Sequence, residues 1–226
     1  MLSAGINCAS VQPAQAKPAL LIESQGIKVI IRRHQKQTFA ALPARLPGNR
    51  VKTRRRKTLS MESVFQSFPQ IETKRLILRR MRQTDASALF GILSDDEVTR
   101  YYDDDAFTHI SQAADQIEAW ENGFINRRCI RWGIARKDAQ EIIGSCGYYG
   151  FHPWHRRASI GYELARPFWR QGIMTEALQA IIDLGFREMG LNRIEAVVLP
   201  ENYASIKLLE KLGFRNEGLL HEYENW

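Results

Sequence analysis

The sequence predicts an α+β domain built on a mixed sheet. Three strand-like runs, CIRWGIARK (129–137), EIIGSCGYYGF (141–151) and RASIGYELA (157–165), follow one another closely. The first two are separated by the short DAQ, which is hairpin spacing. The next strand candidate, RIEAVVL (193–199), comes only after a helix-length segment that ends near Met189, so the strands on either side of it form a β-α-β crossover. An antiparallel meander and one crossover together make the sheet mixed.

The elements read in order as β-α-α-β-β-β-α-β-α-β. RLILRRM (75–81) is β-rich. TDASALFGILSD (84–95) carries apolar residues at helical spacing, with Thr84 as its N-cap candidate. YYDDDAF (101–107) reads as a loop, and THISQAADQIEAWENGFIN (108–126) as a helix capped by Thr108. After the meander, FWRQGIMTEAL (168–178) runs into a third helix. NYASIKLLEKLGF (202–214) is a short helix stopped by Gly213, and EGLLHEYENW (217–226) is a last strand. The sequence contains no internal repeat.

The chain has 226 residues and a net charge of +7, and that charge is unevenly placed. Residues 1–60 hold twelve Lys or Arg against one acid, Glu23, whereas the remainder holds 20 basic and 24 acidic side chains. The first 60 residues also carry Pro13, Pro18, Pro43 and Pro47, and they end in RVKTRRRK (50–57). They are expected to be a largely disordered basic extension ahead of a domain over 61–226, with IKVIIRR (27–33) as the one strand-like run. Three readings stand for this extension: an arm contacting RNA or the ribosome through 50–57, a targeting peptide, or translated upstream sequence without a function. No apolar run approaches the ~20 residues of a membrane span, and no secretory signal is visible. Cys8, Cys129 and Cys146 have no metal-ligand spacing and cannot all pair, which fits a reducing, cytoplasmic setting.

The turn RQGI, between a strand and a helix, carries the chemistry. A helix N-terminus offers free N–H groups and partial positive charge, Gly172 permits close backbone approach, and Arg170 adds a cation. This is an anion site. It lacks the G-x-x-x-x-G-K-[ST] of a nucleoside-triphosphate loop and the G-x-G-x-x-G of a dinucleotide fold.

IGYELARPFWRQGIMTEAL (160–178), followed by RIEAVVLPENYASIKLLEKLGF (193–214), resembles the GNAT superfamily of acyl-CoA-dependent N-acetyltransferases. Within it, the chain resembles the branch that includes the bacterial ribosomal-protein N-terminal acetyltransferases. The likeness begins near IETKRLILRRM (71–81) and runs to the C-terminus, and it implies a mainly antiparallel sheet with helices on both faces. Two departures stand out. Met174 replaces the second small residue of the turn. Members also continue past the EYENW equivalent with a strand that completes the sheet, so a final strand is expected to be missing here. A homodimer in which a neighbouring chain supplies it, an open edge prone to pairing, and a shortened product are the alternatives.

The resemblance implies acetyl transfer from acetyl-CoA to a primary amine by direct attack, with no metal. Arg170, Gln171, Gly172, Ile173, Met174 and Thr175 would hold the pyrophosphate, and the pantetheine arm would pair beside YELA (162–165), Leu164 included. Asn202 is read as an N-cap that also reaches the arm. Ser205, in phase with Leu208, Leu209 and Leu212, is the candidate for protonating the leaving thiolate; Tyr203 is near but differently phased. Glu224 is the favoured base, matching a proposed base of that branch, with Glu222 and Glu163 as alternatives. A protein N-terminus is the first acceptor, a polyamine or aminoglycoside the second, and a silent CoA-binding module the rival. Asp103–Asp105 would form an acidic rim, loops 96–108 and 151–157 would select the acceptor, and His152 and His155 would flank Trp154 at a loop rather than bind metal.

Overall fold

The computed structural model describes residues 3–4, 28–34 and 61–221. Glu222, Glu224 and the basic stretch 50–57 lie outside the described residues. The strands are β1 (Ser3–Ala4), β2 (Lys28–His34), β3 (Ile71–Glu72), β4 (Leu76–Arg80), β5 (Cys129–Arg136), β6 (Ala139–His152), β7 (Arg157–Leu164), β8 (Arg193–Val198) and β9 (Arg215–Leu220). The helices are α1 (Met61–Val64), α2 (Ala86–Leu93), α3 (Asp96–Thr99), α4 (Ile110–Ile125), α5 (Ile173–Arg187) and α6 (Tyr203–Lys211). The sheet runs β3-β4-β5-β6-β7-β8-β2-β9, with β1 set against β7. Every pairing is antiparallel except β7 with β8. That is the mixed, mainly antiparallel sheet that the sequence predicts.

Each face of the sheet buries its own core. On one, α5 and α6 set Leu178, Ile181, Leu208 and Leu209 against Trp132, Tyr148, Ile160 and Tyr162. On the other, α2 and α4 set Leu89, Leu93, Ile117 and Trp120 against Cys129 and Ile142. The amphipathic faces of α4 and α5 follow the i, i+3, i+4 spacing of their apolar residues. Strand β5, covered on both sides, is buried from Cys129 to Ala135.

The structure corrects several local expectations. Thr84 sits inside a 3₁₀ turn (Gln83–Asp85), and Asp85 does the anchoring: its carboxylate accepts from the Arg82 N–H at 2.8 Å and pairs with Arg79 at 2.7 Å. The N-cap of α4 is His109 rather than Thr108, because the Gln112 side chain reaches back to both N–H groups. A short helix, α3, precedes the expected loop.

The division at residue 60 does not bound the sheet. Residues 28–34, within the segment read as an extension, pair with β8 on one side and β9 on the other. The cause lies in the sequence: KVIIRRH places Val29 and Ile31 on one face, and both are buried in the core under α5 and α6. Residues 28–34 thus join β8 to β9 in the sheet.

Gly185 shows how tightly α5 sits on the sheet. The Tyr148 phenol donates to the Ile181 carbonyl of α5 at 2.8 Å, and a Cβ on Gly185 would stand 2.4 Å from that phenol oxygen. Gly185→Ala should cost about 1–3 kcal/mol in denaturant unfolding, and a Tyr148→Phe background should recover part of the loss.

Candidate functional site

Strands β7 and β8 pair only through Arg157–Ser159 and Arg193–Glu195 and then separate. Beyond Ser159, the β7 edge that faces away from β6 is met by β1, with Ser3 opposite Glu163 and Ala4 opposite Tyr162. The edge therefore suits an extended, amide-bearing partner. Leu164 is fully buried at this point, and its carbonyl accepts from the Trp169 indole N–H at 2.6 Å.

The turn after β7 has left-handed backbone at both Arg170 (φ 60°) and Gly172 (φ 73°). A Cβ on Gly172 would meet nothing nearer than Arg75 Nη2 at 3.6 Å, so glycine is required for its backbone angle rather than by crowding. Ile173, Met174 and Thr175 then form the first turn of α5, where N–H groups have no carbonyl one turn back. Met174 is 1% exposed, so its side chain is turned into the core and leaves the space before the turn open. Arg170 and Gln171 are exposed.

Arg75 belongs to this turn, although it lies far upstream. Its guanidinium donates to the Gln171 carbonyl at 3.0 Å and pairs with Glu176 at 2.6 Å. Glu176 also accepts from the Thr73 hydroxyl at 2.6 Å and the Arg75 N–H at 2.8 Å. Burial pushes the Glu176 carboxyl up, but the bonds from Thr73 and Arg75 outweigh it and hold the group below the usual range. Nothing in the sequence signalled Arg75, because the contact spans about a hundred residues.

Ser205 and Tyr162 meet on the α5 and α6 face. Their hydroxyls share a 2.5 Å hydrogen bond, and both residues are fully buried. Asn202 caps α6, its side chain accepting from the Ser205 N–H at 3.1 Å. Burial pushes the Tyr162 phenol up, with the Ser205 bond opposing, so it stays protonated. Tyr203, by contrast, is 69% exposed. Tyr162 was missed, although its alternation with Ile160 and Leu164 in IGYELA would have placed it on this face.

One residue further along β7, Glu163 points to the opposite face. It accepts from Tyr102 at 2.7 Å and also from Ser145 and Arg131, the last of which lies over the Trp120 ring at 5.0 Å. This network floors a cleft rimmed by the exposed Asp104 and Asp105. Gln116, also lining it, is 7% exposed, and its Nε2 has no hydrogen-bond partner among the described residues. Loop 96–108 lines this cleft and loop 151–157 does not; Trp154, at 97% exposure, packs against nothing. Cys146 is not a nucleophile, since burial pushes its thiol up to about 12. Among the described residues, no three His, Cys, Asp or Glu side chains cluster as metal ligands. No helix among them is long and apolar enough to cross a membrane.

The acetyltransferase (GNAT) domain pattern matches residues 75–215. The chain belongs to the GNAT acetyltransferase family. The uncharacterized N-acetyltransferase YoaA of Bacillus subtilis (strain 168) is 45% identical over 156 residues, covering 69% of this chain and 88% of YoaA. The ribosomal protein uS5 alanine N-acetyltransferase of Escherichia coli (strain K12) is 33% identical over 97 residues, 41% of this chain and 48% of its own length. Among solved structures, Mycobacterium smegmatis RimJ in complex with CoA-disulfide superposes with a TM-score of 0.60 at 29% identity, covering 66% of this chain and 74% of that one. This GNAT protein is an acyl-CoA-dependent N-acetyltransferase whose co-substrate is acetyl-CoA.

The Glu176 anchor makes a pH prediction. Its folded carboxyl lies below the unfolded value of roughly 4.3, so its contribution is present above that pH and is lost as pH falls through the folded value. Glu176→Gln should therefore lower Tm by roughly 2–4 °C at pH 7, and the gap to the wild type should close below about pH 4.

Proposed function

We propose that the enzyme acetylates the α-amine of a protein N-terminus, which attacks the thioester directly in a ternary complex. The observation that carries this is the cleft at Gln116. A buried amide donor without a partner is costly, and it fits an acceptor that brings a carbonyl as well as an amine. An N-terminal residue has its carbonyl two bonds from its amine; a polyamine has none. The rim at Asp104 and Asp105 would draw the ammonium in. Relatives that include a ribosomal-protein acetyltransferase support a protein acceptor.

The proposed roles follow from the two faces of β7. The amine enters over Glu163 while the thioester lies on the Tyr162 side. Holding both across one strand supplies much of the rate. Nitrogen attacks the carbonyl carbon, the C–S bond breaks, the thiolate takes a proton from the Ser205–Tyr162 pair, and the proton that nitrogen sheds as the amide forms passes to solvent, from which the pair is reprotonated. That pair is suited to donate because the phenol remains protonated. The pyrophosphate is assigned to the N–H groups of Gly172–Thr175, with Arg170 and Arg75 as flanking cations. Leu164, Gln171 and Asn202 are assigned to the cofactor arm and turn. An α-amine of pKa ~8 arrives protonated and must lose a proton first. Glu163 already accepts from three donors, so it is assigned to orienting the cleft, and Glu224 is proposed as the base.

A panel of free-N-terminal peptides, polyamines and aminoglycosides with acetyl-CoA tests the acceptor. Peptides should be acetylated at the α-amine at least about tenfold faster than the others, and Gln116→Leu should raise the peptide KM about tenfold. Equal rates for a polyamine would sink the peptide reading. Ser205→Ala and Tyr162→Phe should each lower kcat about 10²-fold while changing the acetyl-CoA KM by less than about twofold.

A further inference from the structure

Strand β2 has an unusual position for a segment so early in the chain. It lies between β8 and β9, antiparallel to both, with Val29 opposite Val198 and His34 opposite Arg193 on one side, and Lys28 opposite Leu220 and Arg32 opposite Arg215 on the other. Among the described residues, β9 pairs with no other strand. Helix α6, which carries Ser205, lies between β8 and β9 in sequence. The chain leaving that helix therefore enters the sheet as β9, and among the described residues β9 is joined to the sheet by its pairing with β2. Side chains fasten the strand on both faces. Ile31 is fully buried and Val29 is 3% exposed, within the core that also holds Leu208, Leu209 and Phe214. On the other face Arg32 bridges Glu217 of β9 at 2.5 Å and Glu195 of β8 at 3.5 Å. Arg33 covers the Phe186 ring at 5.8 Å.

We propose that residues 28–34 are a complementing strand, and that the gap between β8 and β9 is a binding slot for it on which the acetyl-CoA site depends. Without it, β8 and β9 would present two facing rows of unpaired N–H and C=O groups, and Glu195 and Glu217 would keep Arg193 but lose Arg32, the second arginine that bridges them. The occupant is the chain's own strand: extended, with Val29, Ile30 and Ile31 buried in succession and Arg32 reaching a carboxylate on each neighbouring strand. Residues 28–34 are thus a part of the enzyme's fold, and their affinity for the slot comes from strand pairing and packing rather than from covalent connection. This goes beyond the acceptor assignment and does not rest on it.

The test uses the full chain with a specific protease site placed between residues 45 and 50, cleaved after folding. The N-terminal fragment should co-elute with the remainder in gel filtration, with CoA affinity by calorimetry and Tm unchanged. In the same cleavable chain carrying Ile31→Glu, the fragment should separate, Tm should fall by roughly 10 °C or more, and CoA affinity should drop at least about tenfold. If Ile31→Glu precipitates, Arg32→Glu, which opposes Glu195 and Glu217 at a half-exposed position, should give the same separation in milder form. Separation of the wild-type fragment with Tm and CoA affinity unchanged would overturn the proposal.

Discussion

Strands β7 and β8 hold together for three residue pairs and then part, and the chemistry proposed for this enzyme is arranged along that parting. Had they paired to the end, the backbone edge of Tyr162 and Glu163 would be consumed by the ladder. Because they part, the edge takes an extended partner instead, which in this structure is β1, and the turn that follows presents the N-terminus of α5 beside it. Successive residues of a strand face opposite sides. Tyr162 therefore meets Ser205 beneath α6, while Glu163 meets Arg131, Ser145 and Tyr102 beneath α4. Two polar networks with different tasks are kept one residue apart by the alternation of a single strand.

The two networks differ in what burial does to them. The Arg131–Glu163 pair is enclosed, and such a pair contributes little net stability against an apolar replacement, though losing one partner costs about 3–5 kcal/mol. Its value is geometric, since it fixes the floor of the cleft. The Ser205–Tyr162 pair is uncharged, so burial keeps the phenol protonated and costs no ion. In the proposed mechanism the Ser205–Tyr162 network supplies a protonated donor for the leaving sulfur and the Arg131–Glu163 network a fixed carboxylate beneath the incoming amine.

Much of this was legible in the sequence. The meander and crossover followed from periodicity and loop length, the turn around Gly172 read as an anion site from local pattern, residues 170–175 came from the family resemblance, and helical phase pointed Ser205 inward, where it is buried. The missing pieces came from long-range contacts. Arg75 joins the turn through Gln171 and Glu176, Tyr162 finds Ser205 across 43 residues, and the 28–34 strand crosses most of the chain to reach β8 and β9. The run 27–33 was legible there as strand-like, but its place between two strands from the far end of the chain was not. Met174, the departure in the turn, has its side chain buried in the core.

The central claim is that acceptor and donor approach β7 from opposite faces. A crystal structure with a bisubstrate conjugate, in which CoA is joined through an acetyl bridge to a peptide α-amine, tests this most directly. The account predicts the pyrophosphate on the N–H groups of Gly172–Thr175, the sulfur near Ser205 and Tyr162, and the peptide crossing β7 into the cleft with its first carbonyl at Gln116. A peptide that stays on the α5 and α6 face, with Gln116 untouched, would contradict it.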